Sequence, residues 1–374
     1  MSTSDDSAGV ATEIESTLRR YPGIARARVL RDADDRLVAE VLPWGTLSVT
    51  ADSGVLAELA SMNLTETRFL HDEIFVDEAY LRGGIVLREN AVVFDVGANI
   101  GMFSLFVEAR CPSAKVFAFE PVPEVFAALQ KNIGERGLAT RAFNFGLSDR
   151  EQEVSFYYYP DVSIMSCRHD YTNWDNEVEL IKLYVANERR NGPPGRAEHL
   201  AEVEGLAARD FEFVERPCLL RPMSAVIDEA GLGTIDWIKI DVQRAEYDVL
   251  QGIEDRHWPL IQQISMEVHD EAGSPTEGRV GRVTARLAEQ GFRVSVEVEE
   301  MLRDTGRYAV YAIRPGYDAD PRPVATAHEV DPGSVADWLS DRLPADLLPD
   351  LVVVVNDLPR SPADLPRSPQ GQAS

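Results

Sequence analysis

The sequence has few cysteines and no long apolar run, and both absences restrict the compartments and architectures open to it. Its 374 residues include three cysteines, Cys111, Cys167 and Cys218, which lie far apart and form no CxxC pair. We therefore expect no structural disulfide or zinc site, and a reducing, cytoplasmic location. No stretch approaches the roughly 20 apolar residues of a membrane-spanning helix, so we expect no membrane partner. Residues 1–10 lack the basic start and apolar core of a signal peptide, and we interpret them as a disordered leader.

Positive charge is also scarce, because the formal net charge is -26. Proteins that hold a phosphate backbone normally present a basic surface, so nucleic acid is not an expected partner. One short segment departs from this balance and contains Arg19, Arg20, Arg26, Arg28, Arg31 and Arg36. Two interpretations stay open for it: a solvated helix and hairpin face, or a docking patch for an acidic protein partner.

What the sequence does have is a regular alternation of apolar strands and helical patterns from about 90 to 315. This alternation predicts an α/β fold, with a mostly parallel sheet covered by helices on both faces. The predicted strands are Val92–Val96, Lys115–Glu120, Ala142–Phe145, Ile235–Asp241 and Gln263–Val268, closed by an antiparallel pair at Phe292–Val298 and Tyr308–Ile313. The predicted helices are Met102–Ala109, Glu124–Arg136 and a short one from Glu246 to Leu250.

The remaining segments differ in composition from this central domain, which we place at 90–315. Residues 11–43 combine a short helical pattern with two strands, and residues 44–89 are interpreted as a connecting region. Residues 160–216 interrupt the strand–helix rhythm, as a lid or substrate-recognition insertion does. Residues 316–374 are rich in proline and aspartate and contain one apolar run near 351–355.

A glycine-containing turn, DVGANIG at 95–101, follows the first strand of the central domain. Gly97 and Gly101 allow the backbone to pass close to a ligand, and the next helix presents free N–H groups there. Glu120 ends the following strand, where it can accept hydrogen bonds from both hydroxyls of a ribose. A nicotinamide cofactor stays open as an alternative, but Asp95 suits the ammonium group of S-adenosylmethionine (SAM) better than a pyrophosphate.

Five motifs in a fixed order resemble the FkbM family of methyltransferases, over about Val92 to Arg314. The motifs are FDVGANIG at 94–101, FEP at 119–121, NFGLSD at 144–149, IKIDV at 238–242 and EVH at 267–269. The resemblance implies a Rossmann-like, SAM-binding sheet. It also implies cofactor-binding roles for particular residues, namely Asp95, Gly97, Asn99 and Glu120 around SAM, and Ser148 and Asp149 near the adenine.

One position departs from the family pattern. Many members read DVEGAE where this chain reads DVQRAE at 241–246, so Arg244 replaces a glycine. The substitution puts close approach of a ligand at this point in doubt. The Gln-Arg form resembles the family branch found in natural-product assembly lines.

The candidate catalytic residues follow central strands, at the sheet edge where open α/β folds bind ligands. Methyl transfer to an alcohol requires alignment of acceptor and methyl and removal of a proton. We predict His269 as the general base, because its unperturbed pKa of about 6.5 suits proton removal near neutrality. Asp241 and Glu246 would orient the acceptor or the base, with Glu267 beside them. Two alternatives stay open: a structural His269, and a divalent cation shared by Asp241, Glu267 and His269.

The two ends carry a second resemblance, to the C-terminal subdomain of nonribosomal peptide adenylation domains. It rests on residues 14–24 and 37–43 near one end and 343–362 near the other. These pieces are contiguous in such domains, and a methyltransferase is sometimes inserted between them. The catalytic lysine expected near 368–372 is missing. The resemblance therefore implies a small α+β subdomain, built from both ends, that does not adenylate a substrate. Two roles stay open for it: docking of a carrier protein, or support of the central domain only.

Together these features predict a SAM-dependent O-methyltransferase of natural-product biosynthesis. Its substrate would carry a hydroxyl and be either a small molecule or tethered to a carrier protein, the acidic partner considered for the arginines. An N- or C-methyltransferase of the same fold and a catalytically silent carrier-binding module are the alternatives. A nicotinamide-dependent oxidoreductase is a third.

Overall fold

The computed structural model describes residues 3–44, 56–171, 212–298, 302–325 and 330–355, together with short pieces within 182–190 and residue 358. Much of the predicted lid at 160–216 therefore lies outside the described residues. The chain divides into two compact units, one formed by residues 1–58 and 330–374 and the other by residues 59–329.

The regular elements are numbered in chain order. The strands are β1 (Ile24–Arg31), β2 (Leu37–Pro43), β3 (Val92–Val96), β4 (Lys115–Phe119), β5 (Arg141–Phe143), β6 (Gly146–Ser148), β7 (Gln152–Tyr158), β8 (Cys167–Arg168), β9 (Val214–Pro222), β10 (Trp237–Ile240), β11 (Gln263–His269), β12 (Arg293–Glu297), β13 (Arg307–Ile313) and β14 (Leu351–Val354). The α-helices are α1 (Thr3–Leu18), α2 (Leu64–His71), α3 (Met102–Arg110), α4 (Pro123–Arg136), α5 (Met223–Ala230), α6 (Glu246–Gln251), α7 (Arg279–Glu289) and α8 (Pro332–Ser340).

The smaller unit joins the two ends of the chain. β1 and β2 form an antiparallel hairpin, and β14 adds to β2 in parallel. Helices α1 and α8 cover this sheet with apolar side chains that include Ile14, Leu18, Val335 and Leu339, all fully buried. The first helix begins at Thr3 and not near residue 11, so residues 3–10, expected to be a disordered leader, are helical. Val10 packs against the same core and extends the contact of the helix with it.

Five of the six N-terminal arginines form ion pairs with carboxylates of the same unit. The ion pairs are Arg19–Glu15, Arg26–Glu58, Arg28–Glu40, Arg31–Asp35 and Arg36–Asp32. Such ion pairs are typical of a solvated face. The docking patch stays a prediction.

The larger unit is built on a seven-stranded sheet in the order β12-β13-β11-β10-β3-β4-β5. Only β13 runs antiparallel to its neighbours. The chain goes from β3 outward through β4 to β5 and later returns to β10 on the other side of β3. This reversal creates a switch point between β3 and β10, where open α/β sheets bind ligands at the carboxyl ends of their strands.

Helices cover both faces of this sheet, which confirms the predicted fold class. Successive residues of a strand point to opposite faces. Phe117 and Phe119 of β4 belong to the core cluster that contains residues of α5, α6 and α7, whereas Ala118 packs with Leu129 of α4. On the same face as Ala118, Phe103 of α3 lies edge-on to Trp237, with 4.9 Å between ring centroids.

A second sheet, in the order β6-β9-β7-β8, was not predicted from the sequence. Its first strand, β6, follows β5 directly along the chain. β6 pairs in parallel with β9, and β9 pairs antiparallel with β7. In the described part of the chain, no helix is long and apolar enough to cross a membrane. All three cysteines are buried and free.

Candidate active site

A cavity of about 200 Å³ lies at the carboxyl ends of β3, β4 and β10 in the larger unit. Five of the residues singled out from the sequence line it: Gly97, Asn99, Glu120, Asp241 and Glu267. The others, which are not among its described lining residues, are Asp95, Gly101, Ser148, Asp149, Glu246 and His269. The sheet edge therefore brings together part of the predicted cofactor set and two of the predicted catalytic carboxylates.

The glycine turn is shaped by its contact with the end of β10. Gly97 has φ of +77°, and a Cβ atom there would lie 1.8 Å from the carbonyl oxygen of Asp241. Gly101 begins α3 with φ of +90°, and its Cβ would lie 2.6 Å from Leu129 Cδ1. Gly97 is therefore required by packing against backbone, whereas Gly101 is favoured by its left-handed conformation. At Gly97 this packing brings the two strand ends together beneath the cavity.

Glu120 holds the turn from the end of β4. Its Oε2 accepts a hydrogen bond from the Asn99 amide at 3.0 Å, and its Oε1 accepts one from the Val122 amide at 2.9 Å. Burial raises the pKa of Glu120 to about 7, although both amide contacts act in the opposite direction. Each carboxylate oxygen keeps a second lone pair, so Glu120 can still accept hydrogen bonds from a ligand.

Lys239 links the glycine turn to Asp95. Its Nζ donates to the carbonyl of Gly97 at 2.8 Å and lies 3.4 Å from Asp95 Oδ1. Asp95 is fully buried and accepts a hydrogen bond from Ser104 at 2.8 Å. Burial alone would lower the pKa of Lys239, but the carboxylates of Asp95 and Asp241 outweigh it and raise that pKa. Asp95 thus supports the cavity through Lys239.

Two further carboxylates, Asp241 and Glu267, line the cavity. Asp241 Oδ2 accepts a hydrogen bond from the Tyr80 hydroxyl at 2.9 Å. Glu267 lies 4.0 Å from Arg307 Nε, and burial raises its pKa. Phe103 adds an apolar surface to the cavity. The arrangement can hold a polar acceptor beside a carboxylate that is ready to take a proton.

His269, the predicted base, is fully buried behind Glu267. Its Nδ1 lies 2.7 Å from Glu246 Oε1 and its Nε2 lies 3.6 Å from Glu267 Oε1. Glu246 is also buried and accepts a hydrogen bond from Arg279 at 2.8 Å. His269 therefore reaches the cavity through Glu267 and does not face the cavity itself.

Ser148 and Asp149 lie next to the cavity but contact each other, with 3.2 Å between Ser148 Oγ and Asp149 Oδ1. Asp149 also pairs with Arg150. Their neighbours Gly146 and Leu147 are the residues of this segment that line the cavity.

Sequence reasoning missed a wall that comes from the region interpreted as a connection. Glu66 in α2 lines the cavity and accepts hydrogen bonds from both the amide and the hydroxyl of Ser163. Asn99 donates to the same hydroxyl at 3.2 Å, which links the glycine turn to this wall. Asn63, which caps α2 three residues before Glu66, is the sequence signal that could have revealed the helix. Nothing local indicates the contact with Ser163.

Arg244, where the FkbM resemblance leads one to expect glycine, has φ of +71°, a conformation that favours glycine. Its guanidinium turns away from the cavity and pairs with Glu271 at 2.7 Å, with the Arg244 side chain 2% exposed. The adjacent Gln243 lines the cavity instead.

One further group of polar side chains lacks catalytic geometry. His257 contacts Ser224 Oγ through Nδ1 at 2.7 Å and Asp228 Oδ1 through Nε2 at 3.2 Å. The Ser224 hydroxyl is buried, however, and accepts from the Glu254 amide, so it does not face a substrate. Among the residues that the structure describes, no group of three or more histidine, cysteine or acidic residues could hold a metal ion. The cation alternative for Asp241 and its neighbours has no support in this geometry.

Comparison with known proteins agrees with this picture. A family model described as "Methyltransferase FkbM domain" matches residues 95–294. The 31-O-demethyl-FK506 methyltransferase FkbM of Streptomyces tacrolimicus is 37% identical over 258 residues, which cover 69% of this chain and 94% of that protein. The AMB antimetabolite synthetase AmbE of Pseudomonas aeruginosa is 38% identical over 373 residues, which cover 93% of this chain and only 17% of AmbE.

Among solved structures, the precorrin-6Y C5,15-methyltransferase of Geobacter metallireducens aligns with a TM-score of 0.37 and 12% identity, over 71% of this chain and 98% of that one. The similarity to AmbE extends beyond the matched family domain to most of the chain.

Proposed function

Because the chain belongs to the FkbM methyltransferase family, we propose that it transfers a methyl group from SAM to a hydroxyl of a natural-product substrate. The cavity at the switch point between β3 and β10 carries this proposal. It combines the glycine turn and Glu120, after β3 and β4, with Asp241 after β10 and Glu267 in β11. The relative named as a 31-O-demethyl-FK506 methyltransferase, which aligns over 94% of its length, supports oxygen as the acceptor atom.

The glycine turn and Glu120 fit SAM. Glu120 keeps free lone pairs for the ribose hydroxyls, and Gly97 leaves the backbone open to a close ligand. Leu147 and Phe156 offer apolar surface for the adenine in the same part of the cavity. Ser148 and Asp149 would act by fixing this segment, and Asp95 by holding Lys239 under the turn. When bound, SAM supplies a methyl group activated by its sulfonium.

Asp241 and Glu267 fit an alcohol acceptor. Alignment of the hydroxyl with the methyl and removal of its proton are the two tasks left to the protein. Asp241, fixed by Tyr80, orients the acceptor, and Glu267 lies where a proton can be received. His269 and Glu246 do not contact the acceptor and act through Glu267.

We further propose a cytoplasmic enzyme whose acceptor is either a small molecule or tethered to a carrier protein. The alignment with a synthetase, AmbE, over 93% of this chain supports the tethered form. The smaller unit would then be the carrier-docking element.

The test has two steps. First, calorimetry should detect SAM binding to the wild type and a strong loss of affinity in Glu120→Gln. Glu135→Gln is the matched control, because Glu135 is an exposed residue of α4 remote from the cavity. Second, hydroxylated aminoacyl carrier proteins and the matching free compounds should be incubated with SAM. Intact mass then detects the added methyl, and fragmentation mass spectrometry locates the atom that carries it. Methylation of nitrogen or carbon only, or SAM binding equal in Glu120→Gln and wild type, would contradict the proposal.

A further inference from the structure

The buried histidine behind the cavity wall lies between two carboxylates. His269 is fully buried, with Nδ1 at 2.7 Å from Glu246 and Nε2 at 3.6 Å from Glu267. The second distance is too long for a hydrogen bond, and within the described part of the chain Nε2 has no hydrogen-bond partner. Of the three side chains, only Glu267 lines the cavity. An unpartnered ring nitrogen therefore points at the one carboxylate that a substrate can touch.

Glu246 is fixed in its ionised form. Its Oε1 accepts from the Arg244 amide at 2.7 Å as well as from His269, and its Oε2 accepts from Arg279 at 2.8 Å. Burial alone would raise the pKa of Glu246, but the charges of His269 and Arg279 outweigh it and lower that pKa. An ionised Glu246 holds a proton of His269 on Nδ1, so that in the neutral ring the lone pair of Nε2 is directed at Glu267.

We propose that Glu267 is the catalytic base and that His269 and Glu246 are positioning residues, which draw the proton from Glu267 into the buried pair. The acceptor O–H bond breaks and its proton moves to Glu267. It then passes to His269 Nε2, and the resulting imidazolium is stabilised by Glu246. The acceptor oxygen uses the released electron pair to form the new C–O bond, while the electron pair of the broken S–CH₃ bond stays on sulfur. The proton returns through Glu267 when the product leaves.

The surroundings of Glu267 favour this path. The charged and titratable groups that face it are His269 on its own strand, Arg307 from β13, Asp241 after β10, Glu246 from α6 and Tyr80. Burial raises the pKa of Glu267, while Arg307 and His269 lower it and Asp241 and Glu246 raise it. Loss of the positive charge available at His269 should therefore raise this pKa further.

This inference rests on the proposed function, so the first readout is independent of activity. The protein is labelled with carbon-13 at glutamate side-chain carboxyls, and the Glu267 signal is identified by its loss in Glu267→Gln. We expect the titration midpoint of Glu267 to be higher in His269→Gln than in wild type. His169→Gln is the matched control, because His169 is exposed and does not line the cavity. An unchanged midpoint in His269→Gln overturns the pairing. Should that variant not fold, as judged by circular dichroism, His269→Asn replaces it.

The second readout is the single-turnover rate as a function of pH, on an acceptor that the wild type methylates. Glu267→Gln should lose about 10²–10⁴-fold in rate. His269→Gln should lose about 10–100-fold, with its acidic limb moved to higher pH and SAM affinity unchanged. A wild-type acidic limb in His269→Gln overturns the relay. If the wild type methylates no acceptor, the proposed function fails, and the carboxyl titration still decides whether Glu267 and His269 are coupled.

Discussion

At the scale of single residues, Glu120 shows how the fold changes the chemistry of a side chain that the sequence already indicated. Its position after β4 was predicted, but its burial and its two amide contacts were not. These contacts give it two functions, since it holds the glycine turn and presents a carboxylate to the cavity.

The pKa of about 7 predicts a pH-dependent affinity for SAM. The ionised carboxylate accepts hydrogen bonds from ribose hydroxyls better than the neutral acid, so affinity should fall as the pH drops through that pKa. With one linked proton, the fall approaches about tenfold per pH unit. Calorimetry from one unit above to one unit below the pKa measures this effect. Glu120→Gln should bind weakly and without this slope, and a flat profile in wild type would contradict the assignment.

Gly97 gives a second prediction at the same scale. A methyl group at this position would meet the Asp241 carbonyl and also occupy a left-handed backbone conformation. Gly97→Ala should therefore lower the free energy of unfolding by at least about 2 kcal/mol and abolish SAM binding. Gly134→Ala is the matched control, because a Cβ there meets nothing within 4 Å. In an exposed helix that change should be neutral or stabilise by up to about 1 kcal/mol. Equal stabilities of the two variants would show that Gly97 is not needed for packing.

At the scale of elements, the turn between β10 and α6 contains an arginine in a backbone conformation that favours glycine. The side chain of this arginine forms a buried ion pair. Arg244 has φ of +71°, and its guanidinium pairs with the buried Glu271. Arg244→Gly relieves the backbone strain, worth about 1 kcal/mol, but leaves Glu271 buried without its cation, at a cost of about 3–5 kcal/mol.

We therefore expect Arg244→Gly to destabilise the protein by about 2–4 kcal/mol, as the difference of these two effects. The double variant Arg244→Gly with Glu271→Gln should recover part of the loss, because the buried charge is then absent. Chemical denaturation of the three variants and the wild type measures the coupling. If the two changes were simply additive, the ion pair would not hold the turn.

The strands and helices that could be predicted share a strong local signal. Val92–Val96 is a short apolar run followed by glycine, and its predicted bounds are those of β3. Pro123–Arg136 ends at Gly137 in the left-handed conformation, and its predicted end is correct. The second sheet lacks such a signal, because β9 contains two prolines and exposes much of its length. The contact between Glu246 and His269 could not be predicted, since the two residues belong to different elements and are 23 residues apart in sequence.

At the scale of the whole molecule, the described lining of the cavity comes from residues 65–307, which belong to the larger unit. The smaller unit has an apolar core of its own. The two therefore have separable tasks in the proposed function, with cofactor binding in one and carrier docking in the other.

A chain restricted to residues 59–329 should therefore bind SAM with a Kd within a few-fold of the full chain. Its activity on free acceptors should persist, whereas its activity on carrier-bound acceptors should fall because the proposed docking element is gone. Calorimetry and intact mass analysis compare the two chains. Equal activity on carrier-bound acceptors would remove the docking role, and loss of SAM binding in a folded chain would contradict the separation of tasks.

In the proposed function, methyl transfer to oxygen occurs in the cavity lined by Glu120 and Glu267. The position of the transferred methyl tests this directly. The full chain and Glu267→Gln are each incubated with SAM bearing a deuterated methyl group, on hydroxylated acceptors in carrier-bound and free form, and the product is located by fragmentation mass spectrometry. We expect a labelled methyl on the hydroxyl oxygen with the wild type and a severe loss of rate with Glu267→Gln. A label on nitrogen or carbon, or an undiminished rate in Glu267→Gln, would contradict this expectation.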